Sequence, residues 1–356
     1  MTFGSPLSHA ALFTALSASL ALSPALAAHK TKHPPWQYGS MAGADLGVGA
    51  SLNGAVPFPA DNAWNKDVSK DDVDPNSDNL IASIGLTTGL HPDFGAGYYN
   101  HAIIGIPYVV VPDSQMYVTI HLKAYKDESD KGPYPVPMDA PIEGMRNDGK
   151  DFGGDRHVLV IDRDTDRLYE MYRAFPRPDI SWKADSGAIF HLDSNNVRPT
   201  AKNGWTSADA AGMPIFPGLA RYDEVAAGMI PHALRFTVAN SREAYVRPAN
   251  HWASSDQDAN LPPMGMRVRL KASYDIPTSF SKDTKVILQA MKTYGMYIAD
   301  GGSAMYVTGE PSASWAEATF SQVQSVGTSV FEAVDITPIM NRAGFDPNSA
   351  AVPSAP

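Results

Sequence analysis

The chain has 356 residues, a net charge of −10 and no cysteine. A chain of this length can bury a core large enough to fold without disulfide bonds. The lack of cysteine excludes thiol catalysis, cysteine-ligated zinc and c-type haem attachment. The acidic balance disfavours nucleic acid and other polyanions as partners, so the composition favours a neutral polymer or a small molecule.

The first 27 residues contain no Lys, Arg, Asp or Glu. The apolar run Ala10–Leu22 precedes Ala25-Leu26-Ala27, which has the small-residue pattern of a signal-peptide cleavage site. A membrane anchor is the alternative, but this run is too short to cross a bilayer. No later segment of the sequence is apolar for long enough either. Residues 1–27 are therefore expected to be a signal peptide, and the protein to be secreted or periplasmic.

Composition divides the rest of the chain into three parts. Residues 28–56 are rich in Gly, Ala, Ser and Pro without periodicity, which predicts a flexible leader. Residues 346–356 have the composition of a disordered tail. Residues 57–345 contain no linker and no repeat, so they are predicted to form a single β-rich catalytic or binding domain.

Local patterns predict, in chain order, a helix at Ser77–Ile84, a series of strands, a stronger helix at Ser281–Tyr294, two more strands and a weaker helix at Ser314–Val323. The strands are recognised by apolar or alternating residues and are expected at Ile103–Val111, Met116–Lys123, His157–Asp162, Leu168–Phe175, Gly187–Leu192, Ala233–Val238, Ala244–Arg247, Met266–Ala272, Met296–Ala299 and Ala304–Val307. With 29 prolines and 28 glycines, the predicted fold is mainly β with a few helices, loop-rich, and sandwich- or barrel-like.

The densest group of chemically active side chains lies in residues 231–258. Arg235 is centred on an otherwise apolar strand and needs a partner, because an unpaired buried charge is costly. That partner is either a structural carboxylate or a substrate oxygen. Near the end of the stretch, His251 and Trp252 stand beside polar residues, an arrangement typical of a sugar-stacking platform.

Two other positions could supply acid–base chemistry. His157 opens one strand of a predicted hairpin and Glu170 lies on its neighbour, so the two could act as an acid–base pair. The alternative is a hydrogen-bonded histidine at a strand end and a solvated glutamate. His191 and Asp193 share one face of a strand end, where they could bind a metal or orient a base; a turn-capping aspartate is the alternative.

Five phrases carry a resemblance to a known group of proteins. They are Asp155–Val160 (DRHVLV), Gly204–Gly218 (GWTSADAAGMPIFPG), Pro231–Val238 (PHALRFTV), Pro262–Ser273 (PPMGMRVRLKAS) and Lys292–Ser303 (KTYGMYIADGGS). The sequence from Phe58 to Asp335 resembles a widespread family of secreted bacterial and fungal proteins. The resemblance implies secretion and an association with polysaccharide metabolism, and it carries over no mechanism.

These patterns predict a secreted carbohydrate-active enzyme, a glycoside hydrolase that uses a carboxylate pair on a polysaccharide or oligosaccharide. The catalytic candidates are Glu170, Asp193, Asp155, His157 and His232. The substrate-binding candidates are Arg235, Tyr245, His251, Trp252 and His191. One alternative is a polysaccharide lyase with a His or Tyr base and Arg235 on a uronate; another is a non-catalytic carbohydrate-binding or cell-envelope protein. No cofactor is expected, no metal ligand is assigned, and the metal requirement is left open.

Overall fold

A computed structural model describes residues 36–148, 150, 153–199 and 204–336. It is 26% strand and 16% helix with four helices, which confirms the mainly β prediction. The predicted signal peptide and the predicted tail at residues 346–356 lie outside the described residues. Within them, no helix is long and apolar enough to cross a membrane.

Eighteen strands occur in the described part of the chain, most of them short. They are β1 (Gln37–Tyr38), β2 (Gly47–Val48), β3 (Ala55–Val56), β4 (His91–Asp93), β5 (Tyr98–Tyr99), β6 (Ala102–Ile103), β7 (Tyr108–Val111), β8 (Ile120–Leu122), β9 (Val158–Asp162), β10 (Arg167–Tyr172), β11 (Phe175–Arg177), β12 (Ser181–Ala184), β13 (Ser186–His191), β14 (Leu234–Val238), β15 (Arg267–Leu270), β16 (Met296–Gly301), β17 (Tyr306–Thr308) and β18 (Phe331–Ala333). The α-helices are α1 (Ser77–Ile84), α2 (Tyr222–Ala227), α3 (Lys282–Thr293) and α4 (Glu317–Gln324).

The first large sheet has the strand order β13–β10–β9–β7–β2 and is buried on both faces at its centre. Leu159 and Ile161 on β9 enter the larger core. Val158 and Val160 enter a smaller core that also contains Trp182 of β12. Because both faces are covered, β9 is apolar at nearly every position instead of alternating.

The second large sheet has the order β18–β15–β16–β14–β17–β4 and mixes parallel with antiparallel pairs. Leu234 and Phe236 of β14 share the larger core with Leu159 and Ile161 of the first sheet. Helix α3 packs on β15 and begins as predicted, since the Ser281 side chain accepts a hydrogen bond from the Thr284 backbone N–H at 3.1 Å. None of the described sheets closes into a barrel.

The described part of the predicted leader differs from the expectation of a flexible segment. Strand β1 pairs with β3, and β2 forms the edge of the first sheet. Met41 and Leu52 are buried, and their backbone N–H groups donate to the carboxylates of Asp166 and Asp223, at 2.5 and 3.0 Å. Those partners lie more than a hundred residues away, so local composition does not reveal them.

A second feature concerns the strand predicted at Met266–Ala272. Its alternation places Arg267 and Arg269 on the face opposite Val268 and Leu270, and both arginine side chains are buried. Their guanidinium groups donate to backbone carbonyls of residues 63–71, a loop that covers this face. Arginine side chains can be buried where acceptors meet their N–H groups, and Arg269 also forms an ion pair with Glu332 at 2.7 Å.

Candidate active site

A solvent-connected cavity of about 270 Å³ lies beside the second sheet. It brings together two of the sequence-predicted residues, Asp155 and His251, with two carboxyl groups that were not predicted from the sequence, Asp209 and Asp300. The remaining lining residues are Tyr125, Tyr172, Thr206, Ser207, Ala208, Ala210, Ala253 and Gly301.

Arg235 on β14 forms a buried ion pair with Asp209. The Arg235 Nε and Nη2 groups donate to Asp209 Oδ2 and Oδ1 at 3.0 and 2.7 Å, while Nη1 donates to the Thr308 hydroxyl on β17. Arg235 and Asp209 are 3% and 1% exposed. A fork of this kind uses both oxygens of the carboxylate and fixes its plane. The expectation that Arg235 needs a partner is therefore met by a carboxylate of the protein itself.

Asp300 reaches the same face through an irregularity in β16. Along the parallel pair, Phe236 is opposite Ile298, but Thr237 is opposite Asp300. Ala299 is thus the extra residue of a β-bulge. In a regular ladder Asp300 would lie opposite Val238, whose side chain enters the core. Because side chains alternate with a period of two, the bulge places Asp300 on the side of Arg235 and Thr237.

The environment of Asp300 favours its protonated form. Burial and the neighbouring Asp209 carboxylate raise the pKa of Asp300 well above its usual range, and Arg235 opposes them only in part. Two carboxyl groups in contact seldom ionise together. Since both Asp209 oxygens are engaged by Arg235, the proton of the pair belongs to Asp300. The cavity therefore contains a carboxylic acid that can donate a proton.

A second cavity, also of about 270 Å³, adjoins the first at Asp155, which lines both. Asp93 and Glu143 contribute carboxyl groups to it. Burial and the Glu143 carboxylate raise the pKa of Asp93. Burial would also raise the pKa of Glu143, but the adjacent His157 lowers it. Each cavity thus contains a carboxyl group of raised pKa, Asp300 or Asp93, next to a carboxylate that is paired with a buried cation.

The buried cation that pairs with Glu143 is His157. Its Nδ1 lies 2.6 Å from Glu143 Oε2, and its Nε2 lies 3.0 Å from the Ala208 carbonyl oxygen. Both partners are acceptors, so both ring nitrogens donate and the ring is an imidazolium. Burial alone would lower the pKa of His157, but Glu143 raises it to about 9. His157 thereby ties the loop that bears Asp209 to the wall of the second cavity.

This ion pair predicts a pH dependence of stability. The pKa of His157 is raised from 6.5 to about 9, so its contribution is complete below pH 6.5 and is lost as the pH rises through about 9. We expect the free energy of unfolding to fall by roughly 3 kcal/mol across that interval, measured by urea denaturation at a series of pH values. The Glu143→Gln variant should lose most of this step, and His121→Ala, at an exposed histidine, should retain it. A full step in Glu143→Gln would contradict the assignment.

Glu170 does not line either cavity. It is fully buried, and its carboxyl oxygens accept hydrogen bonds from the backbone N–H groups of Ile215 and Phe216, both at 2.9 Å. Burial raises its pKa to about 7, against the effect of these two bonds. Glu170 therefore anchors the far end of the loop that bears Asp209.

Three other sequence-predicted candidates also lie away from the cavities. His232 is buried, with Nε2 3.0 Å from Glu224 Oε2 and Nδ1 2.8 Å from the Ala233 carbonyl. His191 and Asp193 are exposed at the end of β13. Neither of them contributes to the lining of either cavity.

The predicted aromatic residues form a row that ends at the first cavity. Tyr245 is buried and stacks on Trp252, with ring centroids 5.8 Å apart, and Trp252 stacks on His251 at 6.3 Å. His251 lines the cavity, and its Nδ1 lies 2.7 Å from the Ala210 carbonyl. Trp252 is partly buried against the core. Of the row, only His251 lines the cavity.

A usable signal for Asp209 and Asp300 was present in the sequence. Four of the five sequence phrases on which the predicted resemblance rests contain Asp155, His157, Asp209, Arg235 or Asp300. Asp209, Arg235 and Asp300 lie together beside the first cavity. Asp155 lines both cavities, and His157 bonds the Ala208 carbonyl next to Asp209. The phrases therefore mark the walls of the cleft more closely than the local pairing of His with Glu did.

Comparisons with family models, curated proteins and solved structures found no match. Among the described residues, no group of three or more His, Asp or Glu side chains is arranged to hold a metal ion.

Proposed function

We propose that the protein is a secreted glycoside hydrolase that acts on a neutral polysaccharide. The main observation that supports this proposal is that Asp300 is a carboxylic acid of raised pKa in a solvent-connected cavity. Glycosidic bond cleavage needs one protonated carboxyl to protonate the leaving oxygen and one carboxylate as base or nucleophile. Asp300 serves as the acid, and Asp155, exposed on the wall shared by the two cavities, serves as the carboxylate.

The other residues of the first cavity hold this pair in place. Asp209 keeps the proton on Asp300, and Arg235 fixes the position of Asp209 through its two hydrogen bonds. Tyr172 and His251 line the cavity beside it, and both can hydrogen-bond sugar hydroxyls. The environment of Asp300 raises its pKa, and a carboxyl group of raised pKa is suited to act as the general acid in such a site.

Charge favours a neutral substrate over a uronate polymer. Among the described residues that line the two cavities there are five Asp and Glu side chains and no Lys or Arg. Arg235, the cation that a lyase would use on a uronate, is directed to Asp209 and Thr308. A polyanion would therefore meet like charges in the cleft. These features support a hydrolase over the lyase alternative.

The test is product analysis on a substrate panel. The purified protein is incubated with soluble β-glucan, xylan, mannan and polygalacturonate, and both reducing ends and unsaturated products are measured. We expect new reducing ends from at least one neutral polymer, without ultraviolet absorbance from unsaturated sugars. Unsaturated products from polygalacturonate would establish a lyase, and binding without any product would refute both enzymes in favour of a carbohydrate-binding protein.

A further inference from the structure

One wall of the second cavity has no role in the proposed cleavage reaction. The hairpin formed by β5 and β6 stands at its edge. It presents two strongly exposed aromatic side chains, Tyr98 and Tyr99, which are 56% and 72% exposed. Adjacent residues of a strand point to opposite faces, and only Tyr99 lines the second cavity. Tyr98 lines a separate depression together with Met145.

An exposed tyrosine such as Tyr99 contributes little to the stability of the fold but is well placed to contact a ligand. Burying an aromatic ring is a large source of stability, and Tyr99 leaves most of its ring in water. A ring held at the rim of a cavity offers a flat apolar face to a ligand, and its hydroxyl remains available as a donor. The C–H face of a pyranose ring has the complementary shape and polarity.

The floor of the same cavity supplies groups for sugar hydroxyls. Asp93 stands on β4 beside Thr308 of β17, so it lies close to the Arg235 fork. Glu143 is held by His157 at 2.6 Å and is 22% exposed. Asp93, whose pKa is raised, can donate a proton where Glu143 accepts one. No Lys, Arg or His is among the described residues that line this cavity.

We propose that the second cavity is a subsite for a neutral sugar residue, with Tyr99 stacked on its ring and Asp93 and Glu143 bound to its hydroxyls. This inference rests on the proposed function, because the sugar belongs to the polysaccharide that is cleaved beside Asp155. The chain of the substrate then runs from one cavity to the other past Asp155. The bond to be cleaved lies between the two.

Binding without turnover tests this subsite. Isothermal titration of the Asp300→Asn variant with cellohexaose, xylohexaose, laminarihexaose and mannohexaose should reveal at least one ligand. In that background, Tyr99→Ala should weaken binding of the ligand about tenfold, and Tyr99→Phe should retain it because the ring face is unchanged. Tyr98→Ala, the adjacent residue on the opposite face, is the matched control and should bind within about twofold of the parent.

Several results would overturn the subsite. They are the absence of binding by all four hexasaccharides, equal losses in Tyr98→Ala and Tyr99→Ala, or tighter binding of hexagalacturonate than of any neutral hexasaccharide. The outcome is separable from that of the hydrolase proposal. Binding that requires Tyr99 in a protein that releases no reducing ends would keep the subsite and refute the hydrolase. Hydrolysis together with unchanged binding by Tyr99→Ala would refute the subsite alone.

Discussion

Asp300→Asn is expected to lower kcat on the neutral polysaccharide by about 10²- to 10⁴-fold, the usual contribution of a general acid. Asparagine has nearly the same shape and can still occupy the bulge of β16, but it has no acidic proton for the leaving oxygen. KM should change little, because the substrate contacts remain. The measurement is the initial rate of reducing-end release on the polymer that the wild-type protein cleaves.

Two controls make this result specific. Asp275→Asn changes an exposed aspartate outside both cavities and should retain the wild-type rate. The pH–rate profile of the wild type should lose activity on its alkaline side, as the acid with the raised pKa loses its proton. If Asp300→Asn kept more than about half of the wild-type kcat, Asp300 could not be the acid.

Arg235→Met is expected to have the largest effect on stability. It removes the partner of a carboxylate that is 1% exposed, and a buried charge left alone costs roughly 3–5 kcal/mol. Methionine fills much of the volume of the arginine stem, so cavity formation contributes little. Urea unfolding at neutral pH, followed by tryptophan fluorescence, measures the loss.

A double variant without either charge shows whether the loss of stability comes from the unpaired Asp209 charge or from the missing arginine side chain. Arg235→Met combined with Asp209→Leu removes both charges, and replacing a buried ion pair with apolar residues is often neutral or stabilising. We expect it to recover most of the lost stability while the activity stays low, because Asp300 has lost the carboxylate beside it. A single Arg235→Met variant as stable as the wild type would show that the Asp209 charge is solvated.

The sequence was sufficient where the structural signal is local. Helix α3 begins after Ser281 because its cap and its apolar stripe are encoded within fourteen residues. Strand β9 was predicted from its run of apolar residues before a turn, and burial on both faces accounts for that run. The need of Arg235 for a partner also followed from the strand alone. In each case one short segment contains all the information.

The sequence was insufficient where the partner lies far along the chain. His157 was expected to face Glu170 across a hairpin, but its partner Glu143 comes from a loop. In the predicted leader, Met41 and Leu52 donate backbone hydrogen bonds to Asp166 and Asp223, which lie far along the chain. Asp300 was missed for a different reason. The strand predicted at Met296–Ala299 ends one residue before it, whereas β16 continues past the bulge to Gly301.

The bulge in β16 also bears on how such a site could arise. In a strand, one inserted residue exchanges the faces of all the side chains that follow. A single-codon insertion at Ala299 is therefore enough to transfer a carboxyl group from the buried side of the sheet to the open side. The residues before the bulge keep their register with β14 from Leu234 to Phe236. The bulge therefore separates the part of β16 that packs in the core from Asp300, which lines the first cavity.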